Sequence, residues 1–475
     1  LAGFIALGHT LWSQSIITEV YAPATALTLW SLAGFALWRE AREQGQRSHP
    51  RLFFAVLAFG AALGIHLTTV FLIPGCLLLL FIADKWIWRK RSFWGAVLAG
   101  AGLVLFLYGL LPLFALKTAP INWSFIRSPI QLMEHVSGKQ YQYRMFSLPI
   151  REVLQRFKTR LFPQLKDQWG NWGFALLLLG CFWGIGLSMY HPEPQIRRRV
   201  RRDLAVWLLL WLPGSFYTLN YDIDDWPVYL CLPMSLLGLA IVAGLDCLLR
   251  VFSPSVTGQK SSNSLLALAA LGLLLPGTWT NWCSLSLQAH HTPARWARET
   301  LTALPPHSLI ISDFDGRTNA LLYHAFLGPV PRSDVTVVLR TMLATGWYRD
   351  HLRTLHPDLK LPEPSRDDLR LDWTRLCNLV SRNILLENAD RPLFLVKEHP
   401  DICPEALTQL EYNLLRVRPT ENQSTGFFSP PYLPIDLTPL TNADYRGDPF
   451  NPGGRTNEHP HYPFLNRGSV VSPAS

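Results

Sequence analysis

The chain has 475 residues, of which 49% are hydrophobic and 16% are charged. That balance is too polar for a protein that lies wholly inside a membrane and too apolar for a wholly soluble one, so segments of both kinds are expected. The formal net charge is +9, and most of it falls in short connections between apolar stretches. It therefore predicts a lipid bilayer as partner and gives no reason to expect nucleic-acid binding.

Apolar stretches of membrane-spanning length recur over residues 1–283. A transmembrane helix needs about 20 predominantly apolar residues. Six stretches come close to this length: residues 21–38, 94–116, 172–190, 204–219, 228–245 and 265–283. Residues 52–83 have basic connections at both ends and must enter and leave on one side, which predicts two short helices that turn near His66. We therefore predict a polytopic α-helical membrane domain of about eight to nine helices over residues 1–283.

The distribution of Lys and Arg predicts the orientation of these helices. Three connections are strongly basic: residues 39–51, 85–91 and 197–202. Short cytoplasmic loops carry an excess of Lys and Arg, so these connections are predicted to lie inside. His66, residues 220–225 and everything after Cys283 then share the outer face. The basic stretch 117–170 also falls outside, where a long loop is translocated largely regardless of its charge.

Residues 284–419 have a different pattern, in which short apolar strands alternate with helices. Strands are predicted at 308–312, 335–339 and 392–396, and helices at 318–326, 347–355 and 372–383. This order predicts a C-terminal soluble, extracytoplasmic α/β domain with a parallel sheet. Ligands in such sheets lie beyond the carboxyl ends of strands, so Asp313 and Asp315 are candidates for ligand or metal contact; alternatively, one of them caps the following helix. The Pro-rich residues 420–475 are predicted to be extended or disordered.

Two positions of the membrane domain are candidates for substrate binding. Glu19 lies at the outer end of the first complete span, where an ionisable residue suggests function, and Tyr21 beside it is also a candidate for substrate binding. The alternative is a solvated interfacial carboxylate with Tyr21 as an anchor. His66 lies at the predicted turn and is followed by Thr68 and Thr69. A histidine there can donate a hydrogen bond to a phosphate, or it can be a satisfied interfacial residue.

An acidic run without a basic residue lies between two predicted spans. The run can bind a cation or orient sugar hydroxyls, or its carboxylates can raise each other's pKa through the repulsion of like charges. The alternative is a solvated polar loop. Because Trp226 and Tyr229 flank the run, a sugar-binding cleft is favoured. Its candidate residues are Asn220, Tyr221, Asp222, Asp224 and Asp225.

Several short patches, in this order, resemble a known family. In the membrane domain they are residues 12–14 (WSQ), 17–21 (ITEVY), 64–69 (GIHLTT), 220–225 (NYDIDD) and 228–229 (VY). In the soluble domain they are residues 312–315 (SDFD), Tyr323, 332–335 (RSDV) and 347–348 (WY). The patches resemble a multipass family long catalogued as a domain of unknown function, which is similar to the membrane protein O-mannosyltransferases, including the enzyme that acts on plexin-type receptor domains. Ser312 and Phe314 replace the Gly and Asn of the family pattern.

The resemblance implies a C-type glycosyltransferase-like bundle that transfers a sugar, with mannose expected, from a polyprenyl-phosphate donor to a protein or other hydroxyl acceptor. The reaction would take place on the outer face of a membrane, which we expect to be a bacterial plasma membrane. The catalytic acid of such enzymes lies in the first outer loop, a region expected to precede Leu1, so the general base is not assigned here. Glu19 and Asp222 would position substrate, and His66 with Arg127 or Arg144 would face the phosphate. No cofactor beyond the lipid-linked sugar is predicted, no metal site is assigned, and a role for a divalent metal is left open.

Two other classes of function stay open at the level of sequence. A transporter or flippase would place charges near the middle of its spans and would show internal repeats, neither of which is seen. A non-catalytic membrane scaffold that binds partners through the soluble domain is the third possibility.

Overall fold

The computed structural model of the chain forms two compact units. The helical unit comprises Leu1–Leu110 and Val136–Leu287, and the α/β unit comprises Leu111–His135 and Gln288–Ser475. The structure describes residues 1–418 except 117, 118, 120, 121, 123, 224, 253–267, 269–271, 273, 274, 289, 290, 314, 330, 398, 400, 404–406, 412 and 413. The role of Asp224 and the disordered tail at 420–475 therefore fall outside the described residues, as does part of the predicted span at 265–283.

Eleven α-helices precede residue 253 in the described part of the chain. They are α1 (Ala2–Ala6), α2 (His9–Ser15), α3 (Tyr21–Glu43), α4 (His49–Ile65), α5 (Ile73–Ala83), α6 (Arg91–Ala115), α7 (Pro129–Val136), α8 (Ile150–Arg156), α9 (Phe162–Tyr190), α10 (Pro194–Leu219) and α11 (Cys231–Phe252). Short 3₁₀ segments Leu67–Leu72 and Trp226–Leu230 lead into α5 and α11. A π-helical turn, Phe157–Leu161, joins α8 to α9, and residues 275–285 are also helical.

Three of the described helical segments are long and apolar enough to cross a membrane. They are Arg91–Ala115, Ile150–Tyr190 and Trp226–Leu248, and shorter apolar helices cover His49–Ile65 and Leu67–Ala83. The side chains of Leu98 and Leu105 on α6 are 70% and 73% exposed, as expected for a surface that faces lipid. These segments support membrane integration, whereas the complete bundle of eight to nine crossings stays a prediction.

The break between α4 and the following helix confirms the turn predicted near His66. His66 has extended backbone angles, and the helix resumes at Leu67. Neither half is long enough for a standard crossing, since the 17 residues of α4 rise only about 25 Å. The turn therefore brings His66 to the end of the helical unit that also holds the first residue of α3.

The opposite end of the helical unit is held by ion pairs between the basic connections. These pairs are Arg39–Asp203 (N···O 2.6 Å), Arg42–Asp84 (2.9 Å) and Arg199–Glu43 (3.1 Å). The three connections thus meet, in agreement with the prediction that they share one side. Helix α3 has 23 residues and a length of about 34 Å, so Tyr21 and Glu43 at its two ends are separated by about one hydrocarbon thickness.

Helices α9 and α11 pack with their backbones in contact. A methyl group added to Gly180 would overlap the carbonyl oxygen of Ala240, and one added to Gly244 would overlap that of Leu176. Small residues at such crossings let membrane helices approach closely. This contact holds α11, and with it the Trp226–Leu230 segment, against α9.

The α/β unit is built around a five-stranded mixed sheet with the order β2-β1-β3-β5-β4. Its strands are β1 (Leu309–Ser312), β2 (Thr336–Leu339), β3 (Leu393–Leu395), β4 (Leu407–Glu411) and β5 (Leu414–Arg418), and its helices are α12 (Thr292–Ala303), α13 (Asp315–Leu327), α14 (Gly346–Leu355) and α15 (Trp373–Glu387). Strands β1, β2 and β3 are parallel, as predicted. The prediction of a parallel sheet is wrong for β4 and β5, which form a hairpin and pair antiparallel to β3 and to each other.

Both faces of the sheet are covered. Leu309 and Ile311 pack into a core with Leu376 and Val380 of α15. Ile310, between them, points the other way into a core with α12 and α13. Strands buried on both faces are uniformly apolar, which explains the continuous apolar runs at the predicted strand positions.

Candidate functional site

Five ring side chains meet at the end of the helical unit opposite the basic connections. They are Tyr21, His66, Tyr217, Tyr221 and Tyr229, which we call the tyrosine cluster. The ring of Tyr229 lies 5.2 Å from that of Tyr21, 5.5 Å from His66 and 5.4 Å from Tyr221, between centroids. Tyr21 and His66 lie 5.2 Å apart. The structure therefore brings together the candidates Tyr21, His66 and Tyr221, which are far apart in sequence.

Hydroxyl groups connect the centre of this cluster. The phenol of Tyr229 hydrogen-bonds with that of Tyr21 and with that of Tyr221. Tyr217 stacks on Tyr221, with their ring centroids 5.3 Å apart. Tyrosine combines an apolar ring with a polar tip, so the cluster presents both ring surface and hydroxyl groups. Sequence reasoning treated Tyr229 only as a flanking aromatic and did not identify Tyr217.

The hydrogen bonds of His66 determine which ring nitrogen carries the proton. The Thr68 backbone N–H donates to Nδ1 of His66 over 3.3 Å, and the Thr68 hydroxyl lies 2.7 Å from the same nitrogen. Because Nδ1 accepts a hydrogen bond, the neutral ring has its proton on Nε2. His66 can thus donate from Nε2, as the phosphate-binding hypothesis requires.

Two carboxylates lie beside the tyrosine cluster. Glu19 and Asp225 are both close enough to Tyr21 for electrostatic interaction. Glu19 keeps contact with solvent, but desolvation by the surrounding protein raises the pKa of its carboxyl group, against a hydrogen bond from the Val20 backbone that lowers it. Burial, followed by the electrostatic effects of Tyr141 and then Asp225, raises the pKa of Tyr221 to about 12. The phenol of Tyr221 is therefore protonated at neutral pH and able to donate.

Arg156, which sequence reasoning did not single out, binds the acidic run. It donates through Nη1 to the carbonyl oxygen of Tyr221 over 2.6 Å and lies 3.5 Å from a carboxylate oxygen of Asp222. Its guanidinium also lies 5.5 Å from the centre of the Trp226 ring. It is one of several cations in a basic stretch, and no local pattern distinguishes it from the others.

The remaining described candidates of the acidic run, Asn220 and Asp222, differ in their exposure to solvent. Asn220 is buried, and its side-chain oxygen accepts from the backbone of Leu148 over 3.1 Å, which indicates a role in holding the chain. The backbone of Asp222 donates to the carbonyl oxygen of Arg144 over 3.0 Å, and its side chain is mostly exposed. Arg144 is close enough to Tyr221 for electrostatic interaction.

The other candidates lie in the α/β unit. The guanidinium of Arg127 stacks over the ring of Phe125 at 3.9 Å, so Arg127 has partners within its own unit. Asp313 pairs with Arg340, and Asp315 is the first residue of α13, as expected for a carboxylate at a helix N-terminus. Asp315 keeps solvent contact although the surrounding protein raises the pKa of its carboxyl group.

Two of the patches that resemble the known family have structural roles in the α/β unit. Arg332 pairs with Asp334 and also donates to the backbone carbonyls of Leu301, Leu304 and Pro305 at the end of α12. The hydroxyl of the buried Tyr348 accepts from the backbone of Leu339 over 2.7 Å. In the described part of the chain, no group of three or more His, Cys, Asp or Glu side chains is arranged to hold a metal ion.

Comparison with known proteins identifies one segment of the chain. Residues 2–89 match the family model described as the protein O-mannosyl-transferase TMEM260 N-terminal domain. This match confirms the resemblance to O-mannosyltransferases over a segment that contains Glu19, Tyr21 and His66. No curated protein and no solved structure matched the chain.

Proposed function

We propose that the protein is a membrane glycosyltransferase that moves mannose from a polyprenyl-phosphate donor to a hydroxyl group of a protein on the outer face of the membrane. The observation that carries this proposal is the tyrosine cluster, in which side chains from distant parts of the chain converge at one end of apolar helices. The match of residues 2–89 to an O-mannosyl-transferase domain supports the choice, since Tyr21 and His66 lie within the matched segment.

The cluster is suited to a neutral sugar. A hexose has hydroxyl groups that both donate and accept hydrogen bonds, and the phenols of Tyr21, Tyr221 and Tyr229 can do both. The sugar also has apolar C–H faces, which pack well on aromatic rings. Such a site of ring surface with a few convergent polar groups is typical of small-molecule binding.

Groups at the edge of the cluster can stabilise the departing phosphate. Transfer leaves negative charge on the polyprenyl phosphate, and donors aimed at that charge lower the barrier. In the proposed arrangement His66 donates from Nε2, and Arg144 and Arg156 supply positive charge near Tyr221. Arg156 is assigned to this role because its guanidinium contacts Tyr221 and Asp222.

Glu19 is assigned to substrate positioning. Its carboxyl group lies beside Tyr21, and its raised pKa lets it exchange a proton closer to neutral pH than an ordinary glutamate. Asp225 has a similar position beside Tyr21 and Tyr221. The base that removes the acceptor proton is not assigned to a residue of this chain.

The test is transfer of labelled mannose from polyprenyl-phosphate mannose to protein, in membranes that contain the intact protein. Loss of the central hydroxyl in Tyr229→Phe is expected to lower the rate about tenfold, and His66→Ala to lower it at least as much. The matched control is Tyr190→Phe, since Tyr190 is 77% exposed and lies at the other end of α9. Transfer that is equal in all three variants would show that the tyrosine cluster is not the active site, and absence of transfer in the wild type would exclude this donor.

A further inference from the structure

The sheet of the α/β unit has a point at which its strand order reverses. From β1 the chain crosses through α13 to β2, and from β2 it crosses through α14 and α15 to β3, on the other side of β1. Helix α13 covers one face of the sheet and α15 the other. In open α/β sheets this arrangement leaves a crevice outside the carboxyl ends of the two strands, and ligands bind there. The crevice here lies between β1 and β3.

Polar side chains from the ends of all three parallel strands meet at this point. Asp313 follows β1, Arg340 follows β2, and His399 lies shortly after β3. Arg340 donates from Nε to one carboxylate oxygen of Asp313, and Nε2 of His399 lies 3.8 Å from the other. The carboxylate of Asp313 therefore connects the side chains that follow β2 and β3.

Two more residues extend these contacts towards solvent. Arg340 donates from Nη1 to the side-chain oxygen of Asn378 over 2.7 Å, and the Asn378 amide nitrogen donates to Asp401 over 3.3 Å. Asp401 is exposed. We call this set the switch-point network: Asp313, Arg340, Asn378, His399 and Asp401.

Stability alone does not account for the network. The side chains of Asp313 and Arg340 are each only 11% exposed. The desolvation of a buried ion pair usually offsets its attraction, so apolar residues would serve the fold equally well. In addition, His399 Nδ1 is buried and has no hydrogen-bond partner among the described residues. Buried polar atoms are nearly always paired, which suggests that a further group completes this site.

We propose that the switch-point network binds a neutral polyhydroxylated ligand, such as a monosaccharide or the terminal sugar of a glycan. Its carboxylate, amide, guanidinium and imidazole groups provide donors and acceptors together, which is what sugar hydroxyls require. Trp373 adds a ring surface beside them: its indole N–H donates over 2.9 Å to the carbonyl of Thr341, the residue after Arg340, and the ring is half-buried.

Charge argues against an anionic ligand in this position. The positive charges of Arg340 and of Lys397, which is close enough to His399 for electrostatic interaction, are balanced by the carboxylates of Asp313 and Asp401. Asp315 occupies the first turn of α13, the helix N-terminus at which a phosphate would otherwise be favoured. Burial lowers the pKa of His399, so its ring adds no positive charge at neutral pH.

In the experiment, the intact protein in detergent is titrated with methyl α-D-mannopyranoside, and binding is measured by saturation-transfer difference NMR. Saturable binding is expected, and it should weaken about tenfold in Asp401→Asn and in Asp313→Asn. Asp358→Asn is the matched control, because Asp358 is also an exposed carboxylate of this unit but pairs with Arg391. Since Asp401 and Asp358 are both exposed, neither substitution threatens folding.

Three results would overturn the proposal. The first is the absence of saturable binding with mannoside, glucoside and galactoside alike. The second is mannoside binding that Asp401→Asn and Asp313→Asn leave unchanged, which would assign the sugar to another site. The third is binding of inorganic phosphate that displaces the mannoside.

The switch-point network shares no residue with the tyrosine cluster, and only the choice of mannoside as first probe rests on the proposed function. The two proposals can therefore fail separately. A protein that binds mannoside through the network but transfers no mannose contradicts the transferase alone. A protein that transfers mannose but shows no binding at the network contradicts the sugar site alone.

Discussion

The tyrosine cluster and the switch-point network accommodate polar groups in the protein interior in two different ways. The tyrosine cluster lies at the end of apolar helices and consists of phenols and a neutral imidazole joined by hydroxyl groups. The switch-point network instead holds full charges, with Asp313 and Arg340 each only 11% exposed. An unpaired buried charge costs far more free energy than an unpaired hydroxyl. We therefore expect single substitutions in the switch-point network to destabilise the α/β unit more than single substitutions in the tyrosine cluster destabilise the helical unit.

Arg340→Gln should have the largest effect, because it leaves the buried carboxylate of Asp313 without a counter-charge. The free energy of unfolding of the α/β unit is expected to fall by about 3 kcal/mol. Hydrogen exchange in peptides that contain β1, β2 and β3 measures this in the intact protein.

The control for this prediction is an exposed pair in the same unit. Arg375 and Asp372 have side chains that are 78% and 57% exposed, so Arg375→Gln should cost less than about 0.5 kcal/mol. The double variant Asp313→Asn/Arg340→Gln should recover part of the stability lost in Arg340→Gln. Equal losses for Arg340→Gln and Arg375→Gln would contradict the comparison.

Tyr229→Phe should have an intermediate effect on stability. It removes the hydroxyl that joins Tyr21 to Tyr221 but leaves the ring packing intact, so the expected loss is about 0.5–1 kcal/mol. Thermal unfolding of the protein in detergent measures it, with the exposed Tyr190→Phe as control. A loss of stability as large as that of Arg340→Gln would contradict the comparison, because it would mean that an uncharged hydroxyl contributes as much to stability as a buried charge.

Asp334→Asn should have the smallest effect, and that effect should depend on pH. Hydrogen bonding from Arg332 lowers the pKa of Asp334 from 3.8 to about 2. A carboxylate with a lowered pKa stabilises the fold fully above its ordinary pKa and loses that effect as the pH falls through its folded value. At pH 7 the variant should be less stable by under ~1 kcal/mol, because the pair is partly exposed.

This difference should vanish as the pH falls from about 3.8 through about 2, the range set by the pKa of Asp334. Thermal unfolding of wild type and variant over this range measures it. A difference that stays constant down to the lowest pH would assign the effect to packing.

Local pattern predicted much of the fold. The apolar runs at β1 and β2 and the turn at His66 follow from residues close together in sequence, and all three are present. The strands β4 and β5 were missed, because their pairing is antiparallel and depends on β3, which is not a local neighbour of the hairpin. The extent of the membrane bundle beyond the described helices stays a prediction.

The candidate site was predicted less completely for a similar reason. Tyr21, His66 and Tyr221 were identified from their position at helix ends on one face, and they do converge. Arg156 was not identified, because its proposed role depends on contacts with Tyr221 and Asp222, which lie more than sixty residues away in sequence. Arg127 was chosen because the basic stretch is predicted to lie on the same side of the membrane as His66, and its role stays a prediction.

The contact between Gly180 and Gly244 bears on how mutational scans of this protein should be interpreted. Any side chain at either position would force α9 and α11 apart. Helix α11 begins directly after the segment that carries Tyr229, so a displacement of these helices would also move that ring. A mutational scan will therefore show two positions that tolerate no substitution although they contact no substrate. Loss of activity on substitution will identify residues needed for helix packing as well as residues of the active site.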